Sequence, residues 1–174
     1  MSQKAPPFAE LLASCQRSAI HLEMRDFYDD PDEAPRVAAW KSGYRPDPAD
    51  RSTWWRPWLD MVAETVARGV VIRRARVVSE PVTAYTHYLH DGTFANVAAG
   101  EEIRWLPRRQ ASDLMLPGND YWVFDDKLVR FGYFSGEGCY LGDDVTDDPV
   151  VVRQCAAAFD AVWDRATPHH AYRI

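Results

Sequence analysis

The segment His21-Leu22-Glu23-Met24-Arg25-Asp26 alternates apolar and ionisable residues, so His21, Glu23 and Arg25 project from one face of an extended strand. A base, an acid and a guanidinium at that spacing can grip a small anion or move a proton. They can equally form an ion-pair ladder with Arg73, Arg74 and Arg76 of a second apolar run, VVIRRARVVS. A ladder requires adjacent strands. A ligand cleft requires the strand ends to converge with Glu80, Tyr85, Arg104 and Asp120. Both arrangements perturb pKa values, so titration by itself does not separate them.

Ser79-Glu80-Pro81 follows the VVIRRARVV run, at the carboxyl end of a predicted strand, where ligands bind in open α/β sheets. Glu80 has a second role open to it, since a carboxylate at a helix N-terminus is favourable by about 0.3 to 1 kcal/mol. Leu116-Pro117-Gly118-Asn119-Asp120 is a turn, or a backbone cradle for an anion. His87 and His90 lie three apart but lack a third ligand at metal-binding spacing, so no metal is expected. His169 and His170 fall in a tail expected to be loop. There is no GK[ST] phosphate loop, no GxGxxG, no GxSxG and no HExxH, so no catalytic residue and no cofactor is assigned.

The elements that must position these residues follow from periodicity. A helix over Phe8 to Cys15 precedes the His21 strand, and an Asp/Pro-rich excursion over residues 29–51, with a short helix near Val37 to Trp40, is a surface loop or lid. Ser52 or Thr53 is the expected cap of a helix through Arg68, closed by Gly69. The VVIRRARVVS run is a central strand, and Pro81 is expected in the first turn of the next helix. GEEIRWLP is a further strand. DYWVF and LVRFGYF form a hairpin about Asp125-Asp126-Lys127, a strand around CYLGDDV follows, and Asp147-Asp148 cap a last helix with Pro149 at its start. This order predicts one α/β domain over residues 1–174, with a mixed six-stranded sheet flanked by helices.

The 174 residues carry 20 basic and 26 acidic side chains, a net charge of −6, and 47% of them are apolar. That composition excludes disorder, and no apolar run approaches the roughly 18 to 20 residues of a membrane span. A cytoplasmic protein is expected, with Cys15, Cys139 and Cys155 as reduced thiols. The charge is uneven. Residues 68–110 hold seven arginines against four acids, whereas residues 111–174 hold five basic and eleven acidic side chains. Arginine offers a planar fork for carboxylates and phosphates, so the arginine segment is an anion site or meets the protein's own acids. Direct nucleic-acid binding is disfavoured, because an acidic chain without a long basic face lacks the phosphate-neutralising contribution. Trp54, Trp55 and Trp58 cluster on one predicted turn and cannot all point inward, which makes an aromatic surface for a partner or a homodimer an expectation.

The phrases QRSAIHLEMRDFY, RARVVSEPVTAY, GEEIRWLPRRQASDL, LPGNDYWVFDD and TDDPVVVRQCAAAFDAVWDRA together resemble the actinobacterial family of unknown function DUF6879. The resemblance implies a gene context beside helix-turn-helix regulators of the XRE type, hence a regulator as partner, and transfers no activity. The order of a helix ending in ARGV, the arginine strand, GEEIRWLP and VFDDKLVRFGYF also resembles half of a phospholipase D-like domain. That fold carries HxKxxxxD on its last hairpin. Counting back from Asp125 or Asp126, the His and Lys positions fall within Gly118 to Tyr121, which hold neither residue, so the likeness speaks to fold alone.

Two functions follow as expectations. One is a non-catalytic sensing or adaptor domain linked to transcriptional regulation, binding a small anionic ligand or a regulator at His21, Glu23, Arg25, Arg76, Glu80, Tyr85, Arg104 and Asp120. The other is an enzyme acting on an anionic small molecule, with Glu23 or Glu80 as base and Arg25 or Arg76 as clamp.

Overall fold

Alternating apolar positions in the sequence become strands here, and apolar positions three to four apart become the helices that cover them. The computed structural model describes residues 3–174. In chain order the elements are β1 (Gln3–Lys4), α1 (Phe8–Ser14), β2 (Ser18–Glu23), α2 (Ala34–Lys41), α3 (Pro57–Ala67), β3 (Val71–Val78), α4 (Ala84–Ala98), β4 (Glu102–Pro107), β5 (Tyr121–Phe124), β6 (Leu128–Phe134), β7 (Tyr140–Thr146), α5 (Pro149–Arg165) and β8 (Thr167–Pro168). They build one mixed sheet in the order β1-β7-β6-β5-β2-β3-β4-β8. The six strands expected from sequence form its body. Two-residue strands at the two edges raise the count to eight among the described residues.

β2, β3 and β4 run parallel, and β5, β6 and β7 form an antiparallel meander joined to β2 through β5. The pleat sends Ile20, Leu22, Ala75, Val77, Val123 and Val129 to one face, where Val152, Cys155, Phe159, Val162 and Trp163 of α5 pack on them. Phe159 is fully buried there, worth about 2 to 3 kcal/mol in apolar area. The opposite face carries Ala19, Ile72, Trp122 and Phe124 under Leu11 and Leu12 of α1, Leu59 and Val62 of α3 and Ala95 of α4. No helix among the described residues is long and apolar enough to cross a membrane.

Local chemistry explains where elements begin. Asp148 accepts from the amides of Val150 and Val151, with Pro149 first in α5. The hairpin turn is left-handed at Asp125 and Asp126 (φ 53° and 55°), a conformation aspartate tolerates. The Asp125 carboxylate accepts from the backbone amides of Gln16, Arg17 and Ser18 at 2.9, 2.7 and 3.0 Å, tying the hairpin to the entry of β2.

Three expectations are corrected. Helix α3 starts at Pro57 and not after Ser52 or Thr53: the residue before a proline is driven out of the helical region, Arg56 is extended, and Arg51–Thr53 forms a separate 3-10 turn capped by Asp50. Pro81 lies outside α4, after a cis Glu80–Pro81 bond, and Thr83 caps the helix through the Thr86 amide at 3.1 Å. The C-terminal tail is not a free loop. Its residues Thr167–Pro168 pair with β4, and Tyr172 stacks on Trp105 with centroids 5.6 Å apart.

The excursion over residues 29–51 folds onto α4. Trp40 Nε1 donates to Asp91 at 2.7 Å and Arg45 pairs with Asp91 at 3.2 Å, while no residue of α2 is buried. Trp54, Trp55 and Trp58 are half-buried against the second core, so they do not form the exposed aromatic face expected of them.

Candidate functional site

Strands β2 and β3 pair in parallel with Glu23 opposite Arg76, so the charged row and the arginine strand are neighbours on the face under α4. The ladder therefore forms. Glu23 Oε1 meets Arg74 Nη1 at 2.6 Å, Glu23 Oε2 meets Arg76 Nε at 3.0 Å, and Arg74 Nε meets Glu101 at 2.6 Å. All four residues are buried. Burial pushes the Glu23 carboxyl up, but the Arg76 and Arg74 guanidiniums outweigh it and hold its pKa down at about 2. Burial lowers the His21 pKa to about 3, and the ring stays neutral, stacked on Trp122 at 4.1 Å. A carboxylate so firmly held by two cations is a poor general base.

The other expected residues separate. Arg104 points to the α5 face, donating to the Trp163 carbonyl at 2.9 Å and lying 4.3 Å from the Trp163 ring centroid. One strand step inverts the face, which is why Arg104 cannot join Arg76. Glu80 does not cap α4; it accepts from the Tyr172 hydroxyl at 3.0 Å. Tyr85 donates to Glu33 of the excursion at 2.6 Å, and Tyr88 donates to the same carboxylate at 3.2 Å, so the excursion is latched over this end of the sheet.

Arg25 and Asp120 are brought together. β2 ends at Glu23, and beyond it Met24 and Arg25 line an open cleft of about 330 Å³ with Arg108, Leu116–Asp120 and Phe134. The cleft lies at the carboxyl end of the parallel strands, and its far wall is the Leu116-to-Asp120 turn. That turn overlaps the Gly118-to-Tyr121 stretch in which the phospholipase D-like resemblance places its missing His and Lys.

Asp120 is 5% exposed. Its Oδ1 accepts from the Met24 amide at 2.8 Å and its Oδ2 accepts from the Tyr28 hydroxyl. Burial raises its pKa to about 6, against the lowering pull of the Tyr28 and Met24 hydrogen bonds and of Arg25, with Glu23 adding to the rise. Arg25 donates to the Ser135 carbonyl at 2.8 Å and packs over Phe134 with its Cζ 5.5 Å from the ring centroid, while its Nε is buried without an acceptor. Arg108 is committed more fully, to the carbonyls of Met24 and Val77 at 2.6 and 3.1 Å and to Ser79 at 3.0 Å. Asp26 completes that corner by accepting from the Ser79 amide and hydroxyl at 2.8 and 2.6 Å.

Arg74 takes the ladder place expected of it, whereas Tyr28, Glu101, Arg108 and Phe134 were not expected at the site. Arg108 belongs to the arginine segment and was within reach of that signal. Tyr28, Glu101 and Phe134 owe their roles to distant partners and carry no local mark. Among the described residues no group of three or more His, Cys, Asp or Glu could hold a metal ion.

The backbone is similar to several solved structures. Nuc from Salmonella typhimurium, a phospholipase D family member, superposes with a TM-score of 0.51 at 11% identity, over 95% of this chain and 88% of its own. NucT from Helicobacter pylori gives 0.53 at 11% identity, over 92% and 87%. TrmBL2, an archaeal chromatin protein with a novel mode of DNA binding, gives 0.50 at 16% identity over 91% of this chain, which spans about half of it (48%). At these identities the likeness establishes the phospholipase D-like fold. No curated protein sequence matches the chain. Residues 6–174, nearly its whole length, match the model of DUF6879, a domain of unknown function, and the chain belongs to that family.

Proposed function

We propose that this protein is a non-catalytic sensing or adaptor domain whose cleft at the carboxyl end of β2 binds a small anionic ligand. One observation carries the proposal: Arg25 lines an open cleft of about 330 Å³ and has no carboxylate partner among the described residues. Arg25 spends one donor on the Ser135 carbonyl, and a guanidinium has further N–H donors with which to hold an anion at the cleft. The volume falls at the small end of ligand pockets, about 300 to 1,000 Å³. The partner that the family resemblance implies is a helix-turn-helix regulator. The excursion latched at Tyr85 and Tyr88 lies at the same end of the sheet as the cleft, which suits a surface that reports on occupancy.

The test is a thermal-shift series with inorganic phosphate and small carboxylates on the wild type and on Arg25→Gln. Stabilisation of the wild type that disappears in the variant is expected. A wild type indifferent to every anion overturns the reading.

A catalytic reading is favoured by Asp120 over Glu23 and Glu80. Glu23 is neutralised by two arginines and Glu80 is bonded to Tyr172, whereas Asp120, with its pKa near 6, lines the cleft. Chemical conversion of a bound ligand, followed by mass spectrometry and abolished in Asp120→Asn, would replace the non-catalytic reading with this one.

A further inference from the structure

Two unlike charges line one cleft and neither is paired. Arg25 forms no ion pair, and Asp120 forms none, with each other or with any other described residue. Each Asp120 oxygen takes one hydrogen bond, from Met24 and from Tyr28, and a carboxylate has further lone pairs on both. The same cleft also offers apolar surface at Met24, Leu116, Pro117 and the Phe134 ring, beside the polar Asn119 and Arg108. We infer that the ligand is a zwitterion of the α-amino-acid class, its carboxylate on Arg25, its ammonium on Asp120 and an apolar side chain against Phe134 and Leu116. This rests on the cleft binding an anionic group, here the ligand's carboxylate at Arg25, and adds the ammonium by which it selects among carboxylates.

The physical case is complementarity. A simple anion satisfies Arg25 but brings a second negative charge beside Asp120. A simple amine has the converse fault beside Arg25. A zwitterion meets both, and being neutral overall it is not repelled by a protein of net charge −6. The charged and titratable groups around Asp120 are Glu23 from β2, Arg25 and Tyr28 from the segment after it, and Arg108 across the cleft. Asp120, with its pKa near 6, changes charge between pH 5 and pH 7.5.

Isothermal titration of the full chain with L-phenylalanine and L-leucine, with the deaminated acids 3-phenylpropionate and 4-methylpentanoate, and with phenethylamine tests this. At pH 7.5 an amino acid should bind at least about tenfold tighter than its deaminated acid, the worth of one charge-assisted contact, and phenethylamine should not bind. Asp120→Asn should remove that preference while keeping acid binding, and Arg25→Gln should abolish both. On the wild type alone, lowering the pH to 5.0 should weaken the amino acids and strengthen the deaminated acids, so the test survives a variant that does not fold. Deaminated acids binding as tightly as amino acids, with parallel pH responses, overturn the zwitterion and leave the anion site standing. No binding by any of these compounds, with no stabilisation by phosphate, overturns both.

Discussion

Asp120 Oδ1 accepts the backbone N–H of Met24 at 2.8 Å, joining the turn before β5 to the first residue past β2 across 96 positions of sequence. This contact holds the two walls of the cleft together. Asp120 also receives the Tyr28 hydroxyl, and Tyr28 packs on Phe134 at 5.2 Å, so one buried carboxylate organises the site from three sides.

Asp120 should make the protein less stable as pH rises through about 6. Its folded pKa, about 6, is above the roughly 3.9 of an unfolded aspartate, so the folded state holds the proton more tightly between those values. Stability from this group is complete below pH 4 and is lost as pH rises through the folded pKa, about 3 kcal/mol in all. Urea unfolding from pH 4 to 7 should show the wild type falling relative to Asp120→Asn; parallel curves would refute it.

Glu23 should act in the opposite sense and in a more acidic window. Its pKa is depressed to about 2, so its contribution is present above the unfolded value of about 4.3 and lost as pH falls through about 2. At pH 7, Glu23→Gln leaves buried Arg74 with Glu101 and buried Arg76 with no ion-pair partner among the described residues, at an expected cost of about 3 to 5 kcal/mol. Denaturant unfolding at neutral pH measures that loss, and a change below 1 kcal/mol would show the ladder to be dispensable.

Substitution of Asp125 should separate its two duties. Asp125→Gly relieves the left-handed backbone (φ 53°) but removes the acceptor for three amides, so a loss of about 2 kcal/mol is expected. Asp125→Ala should cost about 1 kcal/mol more, because alanine resists that conformation. Equal melting temperatures for the two variants would remove the backbone contribution.

Two helix-ending glycines should respond unequally to alanine. Gly69 (φ +88°) has open space where a Cβ would lie, so Gly69→Ala costs only the backbone strain of about 1 kcal/mol. At Gly100 (φ +101°) the new Cβ would stand 2.9 Å from Val66 Cγ1, so Gly100→Ala should cost at least about 1 kcal/mol more, through displacement of α3. Calorimetry of the pair checks the order.

What local chemistry specifies was legible in the sequence. Period two marked β2, the apolar run VVIRRARVVS marked β3, the Asp125-Asp126 turn marked the hairpin, and Asp148 with Pro149 marked the start of α5. Even the charged row of β2 was visible, together with the two fates open to it. The fates themselves were decided by contacts with no trace in any short window. Glu23 meets Arg74 across 51 positions, and the parallel register that sets Glu23 opposite Arg76 also sends Arg104 to the other face. Composition left the arginine segment two roles, an anion site or a partner for the protein's own acids. Strand order decided that Arg74 and Arg76 find them inside the protein while Arg25, two residues past Glu23 and beyond the end of the strand, does not. The physical reason is that a strand's period fixes the face of each residue within it, whereas strand order and strand ends depend on how distant segments pack.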